Sequence, residues 1–562
     1  MNKKLIECVP NISEGRDIAK INAIAAVVET VEGVKLLDVD PGKATNRTVI
    51  TFVGEPENVI EAAFRVIKKA AELIDMSKHS GEHPRFGATD VCPLVPISGI
   101  TLEEAAIFAH KLGERVGKEL GIPGYYYENA AKEEKRKNLA NCRAGEYEGL
   151  KEKLVNPEWK PDFGPAEFNE SVAKSGAIAI SARDFLIAYN VNLNTTSSRR
   201  ANAIAFDIRE AGRVKYENGV SGKMMLDKNG EPDRIPGKLK AVKGIGWYIE
   251  EYGIAQISYN LTNINITPMH IAFDESEKSA IERGLRVTGS ELIGLIPLKA
   301  MLDAGDYFLR KQQRSLGISE EEKIKIAVKS LGLDDLKPFN PNEKIIEYLL
   351  KGDSKKLIDL TVSGFAEETA AESIAPGGGS ISAYVGALGV SLGTMVANLS
   401  SHKAGWDDKW EFYSDWAVKG QAYKNKLLQL VDEDTNAFNK IIDGFRMPKT
   451  TDEEKEARKQ AIEKATIYAT EIPFQVMETA CDSMEVMQAM LKEGMQNSLS
   501  DAGVGVLCAR TAVVGAYFNV RINAKDIKDR VFAEDILAKG EKIYQKAIAV
   551  EQEVMEYINS KM

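Results

Sequence analysis

The apolar residues of this chain change their period once, near residue 330, and no other feature constrains the fold as much. Up to that point, runs that alternate apolar and polar residues take turns with runs of helical period. Residues 4–9, 34–39, 46–53 and 91–97 read as strands, with helices over 17–31 and 56–75. That β-α-β-β-α-β order is the order of a ferredoxin-like split unit. A helix at 101–119, a strand from Tyr125 to Tyr127 and a charged helix near 130–155 follow. The order then starts again, with strand signals over 176–194, a helix over 197–212, strands at 238–249 and 254–264, a helix at 269–284 and a strand at 290–297.

Lys337-Pro338 and Asn340-Pro341-Asn342 mark a linker, and Lys351 to Lys356 a polar break. Helical periodicities then cover 357–372, 379–400, 407–446, 452–494, 498–518 and 525–560. The expected architecture is an α/β module of two ferredoxin-like subdomains, 1–175 and 176–330, a linker at 331–356, and an all-α helical-bundle domain at 357–562. Two α/β subdomains side by side leave a cleft, a favoured place for a ligand.

At 44% hydrophobic and 28% charged, the 562 residues have the balance of a soluble globular protein. A net charge of −10 and the lack of any long basic run argue against a nucleic-acid or anionic-membrane binder. The five cysteines (Cys8, Cys92, Cys142, Cys481, Cys508) show no C-x-x-C spacing, so a disulfide framework is not expected and a reducing, cytoplasmic setting is. Glu7 and Glu14 interrupt the first apolar region, which therefore does not read as a signal peptide.

Ser373 to His402 carries no charged residue and is long enough to span a membrane. Its composition is mostly Gly, Ala, Ser and Val, and Gly386, Gly389 and Gly393 fall at i, i+3, i+7, a smooth face for close backbone approach. We read it as a buried helix of a soluble bundle, with no second long apolar segment after it.

The densest polar cluster of the first module runs from His79 to Pro93 and contains His79, His83, Arg85, Asp90 and Cys92. A His-x-x-x-His pair suggests zinc on a helix, but Gly81 and Pro84 oppose a helix and further ligands are wanting. A plain polar loop and a general acid/base histidine are the other readings. Asp38 and Asp40 lie where a strand ends in a polar turn, and turn chemistry alone accounts for them.

In the helical module, Leu427, Val431, Asp434, Phe438, Ile441 and Phe445 are spaced 4, 3, 4, 3 and 4, one core stripe with a carboxylate at its middle. Asp432 falls instead with Thr435 and Asn439 on a more polar face. A buried aspartate is costly unless it is hydrogen-bonded to a neighbour or used in chemistry. Gly377-Gly378-Gly379-Ser380 opens the small-residue helix, where unpaired amides favour an anion or simply a tight turn.

Val9 to Arg16 (Val-Pro-Asn-Ile-Ser-Glu-Gly-Arg), Gly81 to Pro93 (Gly-Glu-His-Pro-Arg-Phe-Gly-Ala-Thr-Asp-Val-Cys-Pro) and Lys243 to Trp247 (Lys-Gly-Ile-Gly-Trp) together resemble glutamate formimidoyltransferase. Ala375 to Ser380 and Gly515 to Val520 resemble formimidoyltetrahydrofolate cyclodeaminase, and the module order is similar to that of the bifunctional formimidoyltransferase-cyclodeaminase family. The resemblance implies His83 as the catalytic histidine, Asp40 as an assisting carboxylate and Asp434 as the cyclodeaminase aspartate. It implies folate contacts at Gly164, Pro165, Phe168 and Gly176, and at Gly237, Lys238, Lys240, Lys243, Gly244 and Gly246. About three extra residues stand between Phe168 and Gly176, and the loop from Val214 to Arg234 is longer than the family's.

The residue types agree with such a ligand. Lys238 and Lys240 would alternate onto one strand face and meet the carboxylates of a folate tail, although charged strand residues more often face solvent. Gly244 and Gly246 would let a flat pterin reach the backbone. The implied activity is transfer of the formimino group from N-formimino-L-glutamate to N5 of tetrahydrofolate, then cyclisation to 5,10-methenyltetrahydrofolate with loss of ammonia. A polyglutamylated tetrahydrofolate co-substrate, no metal or nucleotide, and a homo-oligomer forming a ring-like octamer belong to the same implication. The rival readings are an enzyme with one of the two activities and a folate-binding scaffold without turnover.

Overall fold

The computed structural model describes residues 4–42, 46–81, 84–219, 221–228, 230–350 and 356–561. In the first sheet, β1 (Leu5–Cys8), β2 (Asn11–Ile12), β3 (Val34–Gly42), β4 (Arg47–Gly54) and β5 (Thr89–Ser98) pair antiparallel with one another. β1 and β2 are one strand broken at Val9-Pro10, since proline cannot donate to a ladder, and they lie between β4 and β5. β6 (Gly124–Glu128) and β7 (Ile178–Ala182) extend the sheet in parallel beyond β5. Helix Pro56–Leu73 covers it with Val59, Ala62, Ala63, Val66, Ile67 and Ala70. Helix Leu102–Arg115 starts at a capping box between Thr101 and Glu104.

The second sheet begins with β8 (Ile187–Leu193). An arm follows, in which β9 (Arg213–Val214) pairs with β10 (Arg234–Ile235). β11 (Val242–Ile249), β12 (Ile254–Leu261) and β13 (Val287–Ile293) complete the antiparallel order β11-β12-β8-β13. The strand signals over 176–194 thus divide between two sheets, and the change of sheet falls between Ala182 and Ile187, beyond the expected division at 175/176.

Two further readings change. The charged helix near 130–155 is two short ones, Leu139–Arg143 and Leu150–Val155, separated by left-handed backbone at Gly145 and Glu146. The strand expected to begin at residue 238 begins at Val242, because Ala241 has φ 54°.

Met1–Ala300 with Leu331–Lys351 form one compact unit, and Met301–Ser330 with Gly352–Met562 a second. Residues 331–350, expected as linker, are folded into the first unit: Ile345 bridges Ile296, and the Ser290 hydroxyl donates to the Leu331 carbonyl. Residues 301–330 pack in the helical unit, where the Gly317 carbonyl accepts from Asn398 and Gln421. The polar run at 351–355 lies outside the described residues.

The helical unit is built on Gly378–Ser401, Trp410–Arg446, Asp452–Glu493, Leu499–Ala524 and Arg530–Lys561. The glycine face of the first packs as the spacing implies. A Cβ on Gly389 would lie 2.7 Å from the Gly505 carbonyl oxygen, and one on Gly393 2.9 Å from Met487 Sδ. One expectation is overturned, since Gln496–Ala524 is a second helix long and apolar enough to cross a membrane, alongside Gly378–Ser401. Half or more of the apolar window of each is buried inside the protein.

Candidate active sites

Side-chain alternation puts Glu7, Val9 and Asn11 of β1–β2, Asp38 and Asp40 of β3, and Arg47, Val49 and Thr51 of β4 on one face of the first sheet. That face is the floor of a cleft of about 720 Å³, and Lys243, Asn260 and Ile293 of the second sheet line its other side. Asp40 is not in a turn: β3 continues to Gly42 and Asp40 stands opposite Val49.

Burial dominates the electrostatics here. It raises the Asp38 carboxyl, with the neighbouring Asp40 adding to it, and raises Glu128, whose backbone is left-handed at φ 49°. Glu7 is fully buried and pushed up to about 7, with Arg183 opposing and Glu347 reinforcing the shift. Its ordinary value is 4.5, so the native state keeps a proton that the unfolded chain has already released. The stability this contributes is complete below pH 4.5 and is lost as pH rises through about 7. Glu7→Gln should therefore flatten the fall in unfolding free energy between pH 5 and pH 8 by about 2.5 kcal/mol, read from denaturant titrations at the two values.

Asn46, left-handed at φ 49°, joins three segments. Its Oδ1 accepts from the Gly15 amide at 3.0 Å, its Nδ2 donates to the Ser80 carbonyl at 2.8 Å, and its own carbonyl lies 3.0 Å from His79 Nε2. The carbonyl can only accept, so Nε2 carries the proton and Nδ1 faces the Arg85 Nε–H at 3.4 Å. Burial, then Arg85, lowers the pKa of this ring. With both nitrogens engaged, His79 holds the loop and has no proton to trade. Arg85 is fixed in turn by a two-pronged pair with Glu148, at 2.7 and 2.8 Å. Glu82 and His83 lie outside the described residues.

Of the expected folate contacts, Lys243 lines the cleft and Gly244 lines an adjoining hollow that shares Lys243 and Asn260 with it. Lys238 and Lys240 do not alternate on a strand; they precede β11 and pair with Glu275 at 3.6 Å and Glu210 at 3.4 Å. Gly164, Pro165, Phe168 and Gly176 are not among the residues lining the cleft, and Phe168 packs on Tyr147. The glycines are required by the protein's own packing. A Cβ would lie 2.3 Å from the Ile122 oxygen at Gly164, 2.2 Å from the Phe86 oxygen at Gly176 and 1.9 Å from the Arg209 oxygen at Gly237. At Gly244 it would meet the Tyr259 ring at 2.6 Å, and at Gly246 the Asn202 amide nitrogen at 2.1 Å. Gly246→Ala should cost about 1–3 kcal/mol by forcing helix Ser198–Ile208 off the sheet, measured as a lowered denaturation midpoint.

In the helical unit, Asp434 meets the start of helix Gly378–Ser401. The Ser380 amide donates to Asp434 Oδ2 at 2.8 Å. The Ser380 hydroxyl lies 3.1 Å from that oxygen and 2.9 Å from the Val431 carbonyl. A Cβ on Gly379 would fall 2.2 Å from Asp434 Oδ1, so glycine is needed for the carboxylate to fit. Burial raises the Asp434 pKa, and the Ser380 hydrogen bonds oppose the rise. Gly378 faces the Asn519 amide, and Ser382 packs on Gly515, which brings the second small-residue motif to the same place. Asp432 instead accepts from the Leu357 amide at 2.7 Å and caps a short turn.

The core stripe is shorter than its spacing implies. Leu427 and Val431 are buried, but Phe438 and Phe445 are 45% and 57% exposed. Asp434 therefore sits at the edge of the core, not at its centre.

Three family models match: "Formiminotransferase domain, N-terminal subdomain" over residues 5–183, "Formiminotransferase domain" over 188–351 and "Formiminotransferase-cyclodeaminase" over 361–542. Formimidoyltransferase-cyclodeaminase of Mus musculus is 42% identical over 546 residues, 97% of each chain. The chain belongs to the formimidoyltransferase-cyclodeaminase family. Other relatives match parts of it. A glutamate formimidoyltransferase of Thermoplasma acidophilum is 42% identical over 325 residues, 58% of this chain and 98% of its own. A methenyltetrahydrofolate cyclohydrolase of Methylorubrum extorquens is 32% identical over 202 residues, 36% of this chain and 97% of its own.

In this member of the formimidoyltransferase-cyclodeaminase family, the junction between the first two matches falls between β7 and β8, where the chain changes sheets. Sequence reading passes over Asn46, Arg47 and Arg143, which the structure places at the cleft or its loop. A signal existed for Arg47: it stands in register with Val49 and Thr51, a charge on the inward face of a strand.

Proposed function

We infer that the first unit transfers the formimino group of N-formimino-L-glutamate to N5 of tetrahydrofolate, and that the helical unit cyclises the product to 5,10-methenyltetrahydrofolate and releases ammonia. One observation carries this reading: separate single-enzyme relatives, a formimidoyltransferase and a folate one-carbon enzyme, account for the two parts of the chain, each over nearly its whole length. N5 attacks the amidine carbon and gives a tetrahedral intermediate. His83 passes a proton to the departing glutamate nitrogen, and Asp40, on the cleft floor, steadies the cationic amidine. In the second reaction N10 attacks the formimino carbon, and Asp434 takes the N10 proton and returns it to the leaving amine. A carboxyl raised by burial and held on one oxygen by Ser380 suits both transfers.

The strand orders, with the first and second strands of each unit flanking the third, support two ferredoxin-like subdomains. We assign the folate as polyglutamylated, with the exposed Lys238 and Lys240 and the cleft residue Lys243 as cations for its tail. The remaining contacts are assigned to Gly164, Pro165, Phe168, Gly176, Gly237, Gly244 and Gly246. Exposed Phe438, Phe445, Phe518 and Ile522 support a homo-oligomer, for which we propose a ring-like octamer. The Cys8 and Cys92 thiols, 3.5 Å apart and unbridged, support a cytoplasmic setting.

The test is incubation with formiminoglutamate and tetrahydrofolate while following methenyl-folate absorbance, glutamate and ammonia. Glutamate without methenyl-folate would leave one activity, and neither product would leave a folate-binding scaffold. The cyclohydrolase relative favours one alternative for the helical unit, which would open supplied methenyltetrahydrofolate with no ammonia produced.

A further inference from the structure

We propose that Arg47 and Arg143, joined through Asp90, bind a carboxylate of the amino-acid donor and so set which acid the cleft accepts; this rests on the transferase reading above. Asp90 is fully buried in β5. Arg47 Nη1 and Arg143 Nη2 both donate to its Oδ2 at 2.8 Å, while its Oδ1 accepts from the Phe86 amide at 3.1 Å. Two guanidinium groups share one carboxylate, so the three side chains together carry one positive charge. Both arginines line the cleft, with side chains only 11% and 12% exposed. Among the described residues, the buried Nε–H of Arg143 has no acceptor.

The corner is also rigid. Arg143 ends helix Leu139–Arg143, and Lys153 closes that end by donating to the carbonyls of Asn141, Cys142 and Ala144 at 2.9, 2.7 and 3.0 Å. Arg47 is turned by a 2.8 Å bond from its Nε to Asn11. A fixed guanidinium fork fits a carboxylate better than a mobile ammonium does.

Register then selects the donor over the folate tail. Gly42 stands opposite Arg47, and Asp40 opposite Val49. Arg47 and Asp40 are therefore diagonal neighbours on one sheet face, about 7–8 Å apart at Cα. A formiminoglutamate has a cationic amidine and carboxylates a few bonds apart, which matches an acid and a guanidinium set diagonally.

Arg143→Gln leaves Asp90 paired with Arg47 and should fold with a normal melting temperature. We expect it to raise the KM for formiminoglutamate, and the Kd for L-glutamate measured by calorimetry, on the order of 10²-fold, with the KM for mono- and triglutamyl tetrahydrofolate unchanged. Arg143→Lys should recover part of the loss, and it carries the same comparison if the Gln variant does not fold. A rise in the folate KM with that of the donor unchanged would place the folate tail at this corner and overturn the proposal, as would no change in either. If the unmodified chain releases no glutamate, the transferase reading fails, and the glutamate titration still decides whether the corner binds a carboxylate.

Discussion

Asp434→Asn should stay folded, keep formimino transfer, and accumulate 5-formiminotetrahydrofolate with ammonia release lowered on the order of 10²–10⁴-fold. The fold survives because the asparagine oxygen can still accept from the Ser380 amide and hydroxyl, which now bond Oδ2. What is lost is the exchangeable proton. The amine leaves as ammonia only after gaining a proton, and N10 must lose one, so a group that cannot titrate stops both transfers. Asp432→Asn is the internal control, since that carboxylate is occupied by the Leu357 amide. Undiminished ammonia release by Asp434→Asn would remove the assignment.

His83→Ala should lower glutamate release from formiminoglutamate by a comparable 10²–10⁴-fold, while supplied 5-formiminotetrahydrofolate is still cyclised. The two residues belong to different compact units, so a selective loss is expected and an equal loss of both activities would indicate misfolding. His79→Ala should be milder in chemistry but not silent. It removes the ring that bonds the Asn46 carbonyl and Arg85, so its effect should appear as lowered stability with residual transfer.

The long helices were the most legible part of the chain. A periodicity over 379–400 becomes Gly378–Ser401, and one over 452–494 becomes Asp452–Glu493, because 3.6-residue spacing and caps such as Thr451–Glu454 are local information. What covers a face is not local. Phe438 and Phe445 lie in the right rhythm for the core and are exposed, since the helix turns Val431 and Ala437 inward instead. Lys238 and Lys240 alternate like strand residues, but one left-handed residue, Ala241, postpones the strand. The Arg47–Asp90–Arg143 cluster was illegible for another reason. Its members come from two strands and a short helix, and only register and tertiary packing bring them together. Among the candidate site residues, sequence pattern alone picked out Asp434. The choice of His83 over His79 came from family resemblance.

The junction at Asn46 has a consequence for the order in which the first unit assembles. It ties Gly15 and Ser80 to a residue 31 and 34 positions away in the chain, so none of its bonds can form before β4 has found its place. Closing such loops spends chain entropy before any contact repays it, and the left-handed turn at Asn46 adds to that cost. The segment that ends at Ser80 should thus be among the last parts of the sheet to order and the first to open. The Gly15 amide proton should exchange with solvent through a local opening rather than through unfolding of the sheet, on a faster clock than the ladder amides of β1 and β5.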